Sequence, residues 1–186
     1  MEKRPAVFLD RDGTINVEKQ YLHLSTDWEW IPGAIDALVR FKSAGYLIVV
    51  ISNQAGLARG YYRERDLLDL HAWVNQQLSP RHAEIDAFYF CPHHPDFSKE
   101  NCSCRKPMPG LILRAAQEWD IDISHSWMLG DKLSDVQAGF SAGCQNVLVQ
   151  TGYGAEVSQN QLPKGIHIAK DLVEASQYIL SRSQPE

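Results

Sequence analysis

The fold is decided by a stretch near the amino terminus, Val7-Phe8-Leu9-Asp10-Arg11-Asp12-Gly13-Thr14. It joins an apolar run to two aspartates that are separated by one residue. A short apolar run bounded by turn residues is typical of a buried, central strand of a parallel sheet. Ligands of such sheets bind beyond the carboxyl ends of the strands, where both aspartates would lie. Because neighbouring carboxylates repel each other, and because Mg²⁺ binds carboxylates together with phosphate oxygens, the stretch predicts a magnesium site.

Strand and helix signals alternate along the rest of the chain, which is the pattern of βαβ units. Strands are predicted at residues 5–9, 46–51, 87–91, 126–129 and 146–150, with a short edge strand at 166–169. Helices are predicted to begin at Pro32, near residue 63, at Pro109, near residue 133 and near residue 171. Their apolar faces are predicted to include Trp119 and Phe140. We therefore expect a three-layer, Rossmann-like α/β fold, with helices on both faces of a parallel sheet, in a single domain over residues 1–186.

The composition indicates a compartment and argues against some partners. The 186 residues suffice for one domain with a full core. The net charge of −5 argues against nucleic acid or a membrane surface as a partner, because both favour basic patches. No segment approaches the ~20 apolar residues of a membrane span, and residues 1–5 lead into a strand without a secretory signal. We expect a cytoplasmic monomer that binds neither nucleic acid nor a membrane.

Polar residues with catalytic potential follow three of the predicted strands. They are Asp10 and Asp12 after the first, Ser52 and Asn53 after the second, and Asp131 after the fourth, with Lys106 in a long loop before a helix. Parallel strands present their carboxyl ends on one side of the fold, so these side chains could converge. They offer a nucleophile, a general acid, a cation site and donors to phosphoryl oxygens, which phosphoryl transfer needs. Taken singly, each carboxylate could instead cap a helix or face solvent.

A second cluster consists of cysteines and histidines in a polar loop. Cys91 and His93 are followed, after eight residues, by Cys102 and Cys104. In a reducing compartment such spacing favours a metal site over a disulfide framework. Three thiolates and one imidazole form a closed tetrahedral set that is typical of structural zinc. From the residues alone, His94 competes with His93 for the fourth position.

The chain resembles the haloacid-dehalogenase-like phosphatases over nearly its whole length, through four motifs in order. The motifs are Asp10-Arg11-Asp12-Gly13-Thr14, Ser52-Asn53, Lys106, and Gly130-Asp131-Lys132-Leu133-Ser134-Asp135. The resemblance implies the fold type of that family, with no large cap domain, because no large helical insert separates the motifs.

The resemblance also implies a mechanism. Asp10 would attack phosphorus to form an aspartyl-phosphate, which is a form of covalent catalysis by carboxylate. Asp12 would protonate the leaving alkoxide and later activate water. Asp10, the backbone carbonyl of Asp12, and Asp131 would hold Mg²⁺. Ser52 and Lys106 would bind the oxygens of the transferred phosphoryl group.

For the loop at about residues 91–107, the resemblance favours a zinc site made of Cys91, His93, Cys102 and Cys104, because one subfamily carries Cys-x-His followed by Cys-x-Cys. The zinc would fold a loop that has no apolar core of its own. Arg105 follows the last ligand directly, so a clamped loop would position it for a bidentate contact with a second phosphate or a carboxylate.

Within the family, the resemblance is to phosphatases that act on a small phosphorylated sugar. It implies a substrate pocket formed by Arg11, Glu18, Lys19, Gln20, Tyr21, Asn53, Gln54, Ala55, Arg105 and Lys132. Two alternatives stay open at this point. One is a histidinol-phosphate phosphatase, which shares these motifs, and the other is a zinc-bearing binding module without catalysis.

Overall fold

A parallel sheet forms the centre of the molecule. The computed structural model describes residues 3–98 and 102–182. Within these residues the strands are β1 (Ala6–Leu9), β2 (Leu47–Asn53), β3 (Ala87–Cys91), β4 (Trp127–Gly130), β5 (Gln145–Val149) and β6 (His167–Ala169). They lie in the order β3-β2-β1-β4-β5-β6, and all neighbours are parallel. The short edge strand that the sequence predicts is present as β6.

Helices cover both faces of this sheet. They are α1 (Ala34–Ser43), α2 (Ala55–Ala58), α3 (Glu64–Leu78), α4 (Gly110–Glu118), α5 (Leu133–Ala142) and α6 (Leu172–Arg182). One hydrophobic core joins α1, α3 and α6 to one face of the sheet. A second core joins α4 and α5 to the opposite face. The predicted three-layer α/β architecture is thereby confirmed.

Strand β1 contributes to both cores. Val7 and Leu9 belong to the first core, Ala6 and Phe8 belong to the second, and all four are 0% exposed. Successive side chains of a strand point to opposite faces of the sheet, and here both faces are covered by helices. This is why the sequence of β1 is a continuous apolar run rather than an alternating one.

The strand order reverses beside β1. The chain proceeds from β1 outward to β2 and β3, and then returns to pair β4 with the other side of β1. Such a reversal leaves a crevice at the carboxyl ends of the strands. Asp10 directly follows β1, and its N–H donates to the Leu129 carbonyl of β4 over 2.9 Å. The reversal therefore brings together the motifs that follow the first and fourth strands.

Several element boundaries differ from the prediction. Strand β2 continues through Ser52 and Asn53, because both residues pair with β3. The predicted loop thus begins only after Asn53. Helix α1 begins at Ala34 rather than at Pro32, because Gly33 adopts a left-handed conformation with φ of 80° immediately before it.

Two predicted core residues are exposed. Trp119 is 41% exposed and caps the carboxyl end of α4 just beyond its last residue, Glu118, so the helical period no longer directs its side chain toward the sheet. Phe140 is 63% exposed, because α5 packs on the sheet through smaller residues that include Ala138 and Gly139. A Cβ on Gly139 would lie 2.5 Å from the Met128 Cβ in β4, so this close approach excludes larger side chains.

Only short segments surround the crevice on the side of β1. In the described chain, the segment between β1 and α1 contains one three-residue 3₁₀ turn, Ser25–Asp27, and no cap domain, as predicted. Among the same residues, no helix combines the length and the apolar character that crossing a membrane requires.

Candidate active site

The predicted catalytic residues meet in a cavity of about 350 Å³ at the carboxyl ends of the strands. Its walls are formed by Asp10, Asp12, Glu18, Gln20, Tyr21, Asn53, Gln54, Ala55, Tyr62, Lys106, Lys132, Ser134, Asp135 and Tyr153. Ten of the predicted site residues are in this set. Ser52 and Asp131 are buried beneath the cavity wall, at 1% and 0% exposure.

A buried lysine pairs with two aspartates at the floor of the cavity. Lys106 Nζ lies 2.6 Å from Asp10 Oδ1 and 2.7 Å from Asp135 Oδ1, and it also donates to the Ile51 carbonyl over 2.7 Å. Burial raises the pKa of Asp10, but the charges of Lys106 and Lys132 outweigh burial and hold that pKa below its usual value. Asp10 is therefore an anion, as a nucleophile must be.

Three carboxylates form a compact acidic group. Oxygens of Asp10, Asp131 and Asp135 lie within 4.8 Å of one another. Burial, followed by the charge of Asp10, raises the pKa of Asp131 to about 7. Burial also raises the pKa of Asp135 to about 6, against the opposing effect of Lys106. Asp131 Oδ1 accepts no hydrogen bond in the described structure, and the nearest cation, Lys132 Nζ, is 3.8 Å away.

These observations fit a divalent cation. Buried carboxylates that repel one another, with a free oxygen, match the preference of Mg²⁺ for oxygen ligands. Asp135 belongs to the group although the sequence did not predict it as a ligand. The carboxylate of Asp12 faces the guanidinium of Arg11, so only the backbone carbonyl of Asp12 remains as the ligand predicted at that residue.

Asp12 is surrounded by hydrogen-bond donors. Arg11 contacts both of its oxygens, Nε with Oδ2 over 3.1 Å and NH2 with Oδ1 over 3.0 Å. Asn16 Nδ2 donates to Oδ1 over 2.9 Å, and Gln54 Nε2 donates to Oδ2 over 3.3 Å. Arg11 also donates to the Leu22 carbonyl over 2.7 Å and is 1% exposed. The structure therefore does not bring Arg11 to the cavity, contrary to its predicted role in substrate binding.

Asn53 connects β2 to the loop that carries Lys106. Its Nδ2 donates to the Lys106 carbonyl over 3.1 Å, and its Oδ1 accepts from the Lys106 N–H over 3.0 Å. This pair of bonds fixes the backbone of Lys106. Ser52 Oγ accepts from Gln54 Nε2 over 3.2 Å.

The rim of the cavity comes from the segment that follows β1. Glu18, Gln20 and Tyr21 line it as predicted, with Gln20 and Tyr21 at positive φ angles of 49° and 55°. Lys19 does not line it. Its ammonium pairs with Glu29 over 3.0 Å, which turns the side chain away from the cavity.

The opposite rim carries a second cation. Lys132 lines the cavity, and its Nζ lies 3.5 Å from Glu18 Oε2 and 5.1 Å from the centre of the Tyr153 ring. Burial alone would lower the pKa of Lys132, but the negative charges of Asp10, Asp131 and Glu18 outweigh burial and raise this pKa above its usual value. The lysine is therefore protonated. The cavity thus presents two cations, at its floor and at its rim, to an anionic ligand.

The cysteine cluster assembles beside β3. The Sγ of Cys91 lies 3.1 Å from Cys104 Sγ and 3.6 Å from Cys102 Sγ, and His93 Nδ1 lies 3.3 Å from Cys104 Sγ. Sulphur atoms bound to one zinc at about 2.3 Å would be separated by similar distances, so these residues fit tetrahedral zinc. His94 lies outside the cluster, with Nε2 3.4 Å from Arg59 NH2.

Arg105 lies on the inner side of this loop rather than in the cavity. Its NH1 donates to the His93 carbonyl over 3.0 Å, and it is not among the cavity-lining residues. In the structure Arg105 closes the loop that carries the cysteines, and it does not reach the space where a substrate would bind.

Sequence reasoning missed four residues of the cavity wall: Tyr62, Ser134, Asp135 and Tyr153. Asp135 and Ser134 stand inside the fourth motif, and this position is the sequence signal that points to them. Tyr62 and Tyr153 lie in irregular segments, where no periodicity or motif distinguishes them.

The fold and the site together define a class of protein, the haloacid-dehalogenase-like hydrolases. A family model described as HAD-hydrolase-like matches residues 103–175. The particular relatives are heptose phosphatases. The chain is 46% identical over 153 residues to the D-glycero-beta-D-manno-heptose-1,7-bisphosphate 7-phosphatase of Photorhabdus laumondii, covering 80% of this chain and 81% of the relative. It is also 46% identical over 153 residues to the enzyme of that name from Escherichia coli K12, covering 80% of both chains.

Solved structures agree with the sequence comparison. The D,D-heptose 1,7-bisphosphate phosphatase of B. bronchiseptica, complexed with magnesium and phosphate, superposes with a TM-score of 0.88 at 35% identity, covering 96% of this chain and 99% of that one. The corresponding enzyme from Burkholderia thailandensis gives a TM-score of 0.73 at 31% identity, covering 96% of this chain and 99% of that one. The chain therefore belongs to the haloacid-dehalogenase-like family, together with these phosphatases.

The stretches at residues 8–16 and 52–60, the zinc loop, and Arg105-Lys106-Pro107 resemble D-glycero-D-manno-heptose 1,7-bisphosphate 7-phosphatase. The comparisons confirm this resemblance.

Proposed function

We propose that this chain is a magnesium-dependent phosphatase that removes the 7-phosphate of D-glycero-D-manno-heptose 1,7-bisphosphate. The product would serve the synthesis of nucleotide-activated heptose for lipopolysaccharide. One observation carries the proposal of catalysis: Asp10 is a buried anion paired with Lys106 over 2.6 Å, and it lies among carboxylates at the floor of an open cavity. A binding module without catalysis has no need of this arrangement.

In the proposed reaction, a carboxylate oxygen of Asp10 attacks phosphorus as the bond from phosphorus to the sugar oxygen breaks. Asp12 gives a proton to the leaving alkoxide, which departs as the sugar hydroxyl. Asp12 then accepts a proton from water, whose oxygen attacks the aspartyl-phosphate. Phosphate leaves, and the Asp10 carboxylate is regenerated.

The cations of the cavity support this chemistry. Lys106 donates to the transferred phosphoryl group and to Asp10, and the Ser52 hydroxyl supplies a further donor below the cavity wall. Mg²⁺, held by Asp10, Asp131, Asp135 and the backbone carbonyl of Asp12, would supply charge neutralisation for the phosphoryl oxygens. Removing one preorganised donor of this kind slows an enzyme by about 10²–10³-fold.

We propose that Glu18, Gln20, Tyr21, Asn53, Gln54, Ala55 and Lys132 contact the sugar phosphate. Lys132 is a candidate for the second phosphate, because it is a protonated amine on the rim of the cavity. A contact from Arg105 would require its guanidinium to leave the His93 carbonyl. For zinc we propose the ligands Cys91, His93, Cys102 and Cys104, with a structural role in fixing the backbone near Lys106.

We propose one domain over residues 1–186, a monomer, and a cytoplasmic location. The support for the location is the reduced state that a site of three cysteine ligands requires.

The test compares two phosphorylated substrates. Purified protein with Mg²⁺ should release phosphate from D-glycero-D-manno-heptose 1,7-bisphosphate, and kcat/KM should exceed that for histidinol phosphate by at least about tenfold, or 1.4 kcal/mol. The Asp10→Asn variant should release none. A higher kcat/KM for histidinol phosphate would assign the alternative activity, and equal phosphate release by Asp10→Asn would exclude the covalent mechanism.

A further inference from the structure

A relay of hydrogen bonds connects a buried tyrosine to Asp12. The hydroxyl of Tyr62 donates to Gln54 Oε1 over 2.6 Å. The amide of Gln54 then donates from Nε2 to Asp12 Oδ2 over 3.3 Å and to Ser52 Oγ over 3.2 Å. Tyr62 is 6% exposed and Gln54 is 3% exposed. No motif identifies Tyr62, and the proposed reaction does not use it.

Tyr62 is held rigidly in this position. Its ring stacks on His23 with 4.8 Å between ring centres and 15° between planes. On another side it packs against Gly56, where an added Cβ would lie 2.2 Å from the ring. Burial raises the pKa of Tyr62 to about 12, so the phenol keeps its proton and acts as a donor. The hydroxyl thus has a fixed place and a fixed direction.

The hydrogen bond from the Tyr62 hydroxyl determines which end of the Gln54 amide faces Asp12. With its oxygen accepting from Tyr62, Gln54 can present only its NH₂ group to Asp12. Without that bond the amide could rotate and turn its oxygen toward the carboxylate, where two acceptors would repel each other. A donor at Oδ2 matters, because the carboxylate must adopt one orientation in order to deliver a proton to the leaving group.

We propose that Tyr62 is a positioning residue for the general acid, acting through the amide of Gln54. The inference rests on the proposed function, because it assumes that Asp12 protonates the leaving alkoxide. Tyr62 itself touches neither the phosphoryl group nor the acid, so its effect has to pass through Gln54.

Leaving groups of different basicity distinguish this role from a merely structural one. An alkoxide needs a proton in order to leave, whereas 4-nitrophenolate departs without one. kcat/KM covers the steps up to release of the leaving group and omits hydrolysis of the aspartyl-phosphate. Tyr62→Phe should therefore lower kcat/KM for heptose 1,7-bisphosphate about fivefold, which corresponds to one lost hydrogen bond, and should change it less than about twofold for 4-nitrophenyl phosphate.

A double-mutant cycle tests whether the effect of Tyr62 on Asp12 passes through Gln54. Tyr62→Phe, Gln54→Ala and the double variant are assayed with both substrates, with Tyr89→Phe as the matched control. Tyr89 is also buried, its hydroxyl donates to Glu118 of α4 over 2.6 Å, and neither residue lines the cavity. In the Gln54→Ala background, Tyr62→Phe should have no further effect, and Tyr89→Phe should act like the wild type on both substrates.

The outcomes separate the inference from the function on which it rests. Equal losses on both substrates, or an undiminished effect of Tyr62→Phe in the Gln54→Ala background, would overturn the positioning role. If Tyr62→Phe does not fold, the kcat of Gln54→Ala decides the same question, because the sugar contact proposed for Gln54 acts on KM. A fall in kcat for heptose bisphosphate but not for 4-nitrophenyl phosphate supports the positioning of Asp12, and a change in KM alone overturns it. A wild-type protein that hydrolyses neither substrate would contradict the proposed function instead.

Discussion

Lys106 and Asp10 are 96 residues apart in the sequence, and their side chains form a buried pair with 2.6 Å between nitrogen and oxygen. Asn53 fixes the backbone of Lys106 through two hydrogen bonds, and the cysteine cluster ends at Cys104, two residues earlier. The backbone that carries the partner of Asp10 is therefore fixed by β2 and directly follows the cysteine cluster.

The first prediction concerns the charge of Lys106. Lys106→Met should lower kcat at least about 10²-fold, because a preorganised donor to the phosphoryl oxygens is lost. It should also destabilise the fold by about 3–5 kcal/mol, because Asp10 and Asp135 would be left buried without a counter-ion. Steady-state kinetics and urea unfolding measure the two effects. Lys164→Met, at a residue of a separate groove, is the control and should change neither.

The second prediction concerns Asp135. Asp135→Asn should raise the Mg²⁺ concentration needed for half-maximal activity by about 10–100-fold, a change typical of lost support at a metal site. A Mg²⁺ titration of phosphate release measures it. Asp171→Asn is the control, because Asp171 caps α6 away from the cavity, with its Oδ1 accepting from the Glu174 N–H over 2.9 Å. An unchanged Mg²⁺ requirement in Asp135→Asn would remove this carboxylate from the metal site.

The third prediction concerns acid stability and His71. This residue stacks on Phe88 with 4.1 Å between ring centres, and neither ring nitrogen has a hydrogen-bond partner in the described structure. Burial, with a smaller contribution from Arg11, lowers its pKa from 6.5 to about 3. Between these values the unfolded chain binds a proton that the folded chain does not bind. Stability is therefore lost as the pH falls below 6.5, by up to about 1.4 kcal/mol per pH unit.

His71→Phe keeps the ring stack and removes this titration. Unfolding free energies of the two proteins are to be measured by urea denaturation between pH 8 and pH 5. The wild type should lose about 2 kcal/mol more than the variant over this interval. Parallel curves for the two proteins would show that His71 does not contribute to the acid sensitivity.

The fourth prediction concerns zinc. Cys102→Ser should abolish the binding of one zinc per chain. It should also raise KM and lower the melting temperature, because the loop before Lys106 loses the metal ion around which it is proposed to fold. Atomic absorption measures the metal, and calorimetry measures the melting temperature. Cys144→Ala is the matched control, because Cys144 lies in the second core, away from the cluster. Unaltered kinetics after verified zinc loss would contradict a positioning role for the loop.

The sequence predicts much of the fold because the strands are strongly apolar and the turns are clear. It also predicts most of the cavity, since residues that follow parallel strands meet at one side of a sheet. The direction in which a side chain points cannot be predicted in the same way. Arg11, Lys19 and Arg105 stand in or beside the motifs, yet none of the three lines the cavity. The Arg11 guanidinium is held by Asp12 and the Leu22 carbonyl. Lys19 pairs with Glu29, and Arg105 donates to the His93 carbonyl.

Residues in irregular segments could not be predicted for a related reason. Tyr62 acquires its place from a stack with His23 and from the absence of a side chain at Gly56, and both contacts depend on tertiary packing. Trp119 and Phe140 fit the helical period but are exposed. Trp119 stands just beyond the end of α4, and α5 approaches the sheet too closely to place a side chain as large as that of Phe140 between them.

The measurement that tests the central claim most directly is a single turnover with heptose bisphosphate labelled with ³²P at the 7-phosphate. The reaction is quenched with acid on the millisecond scale, and the protein is digested. The label should appear transiently on the peptide that contains Asp10 and then as free phosphate, and Asp10→Asn should give neither. Free phosphate that forms in the first turnover while no peptide carries label at any time would contradict nucleophilic attack by Asp10.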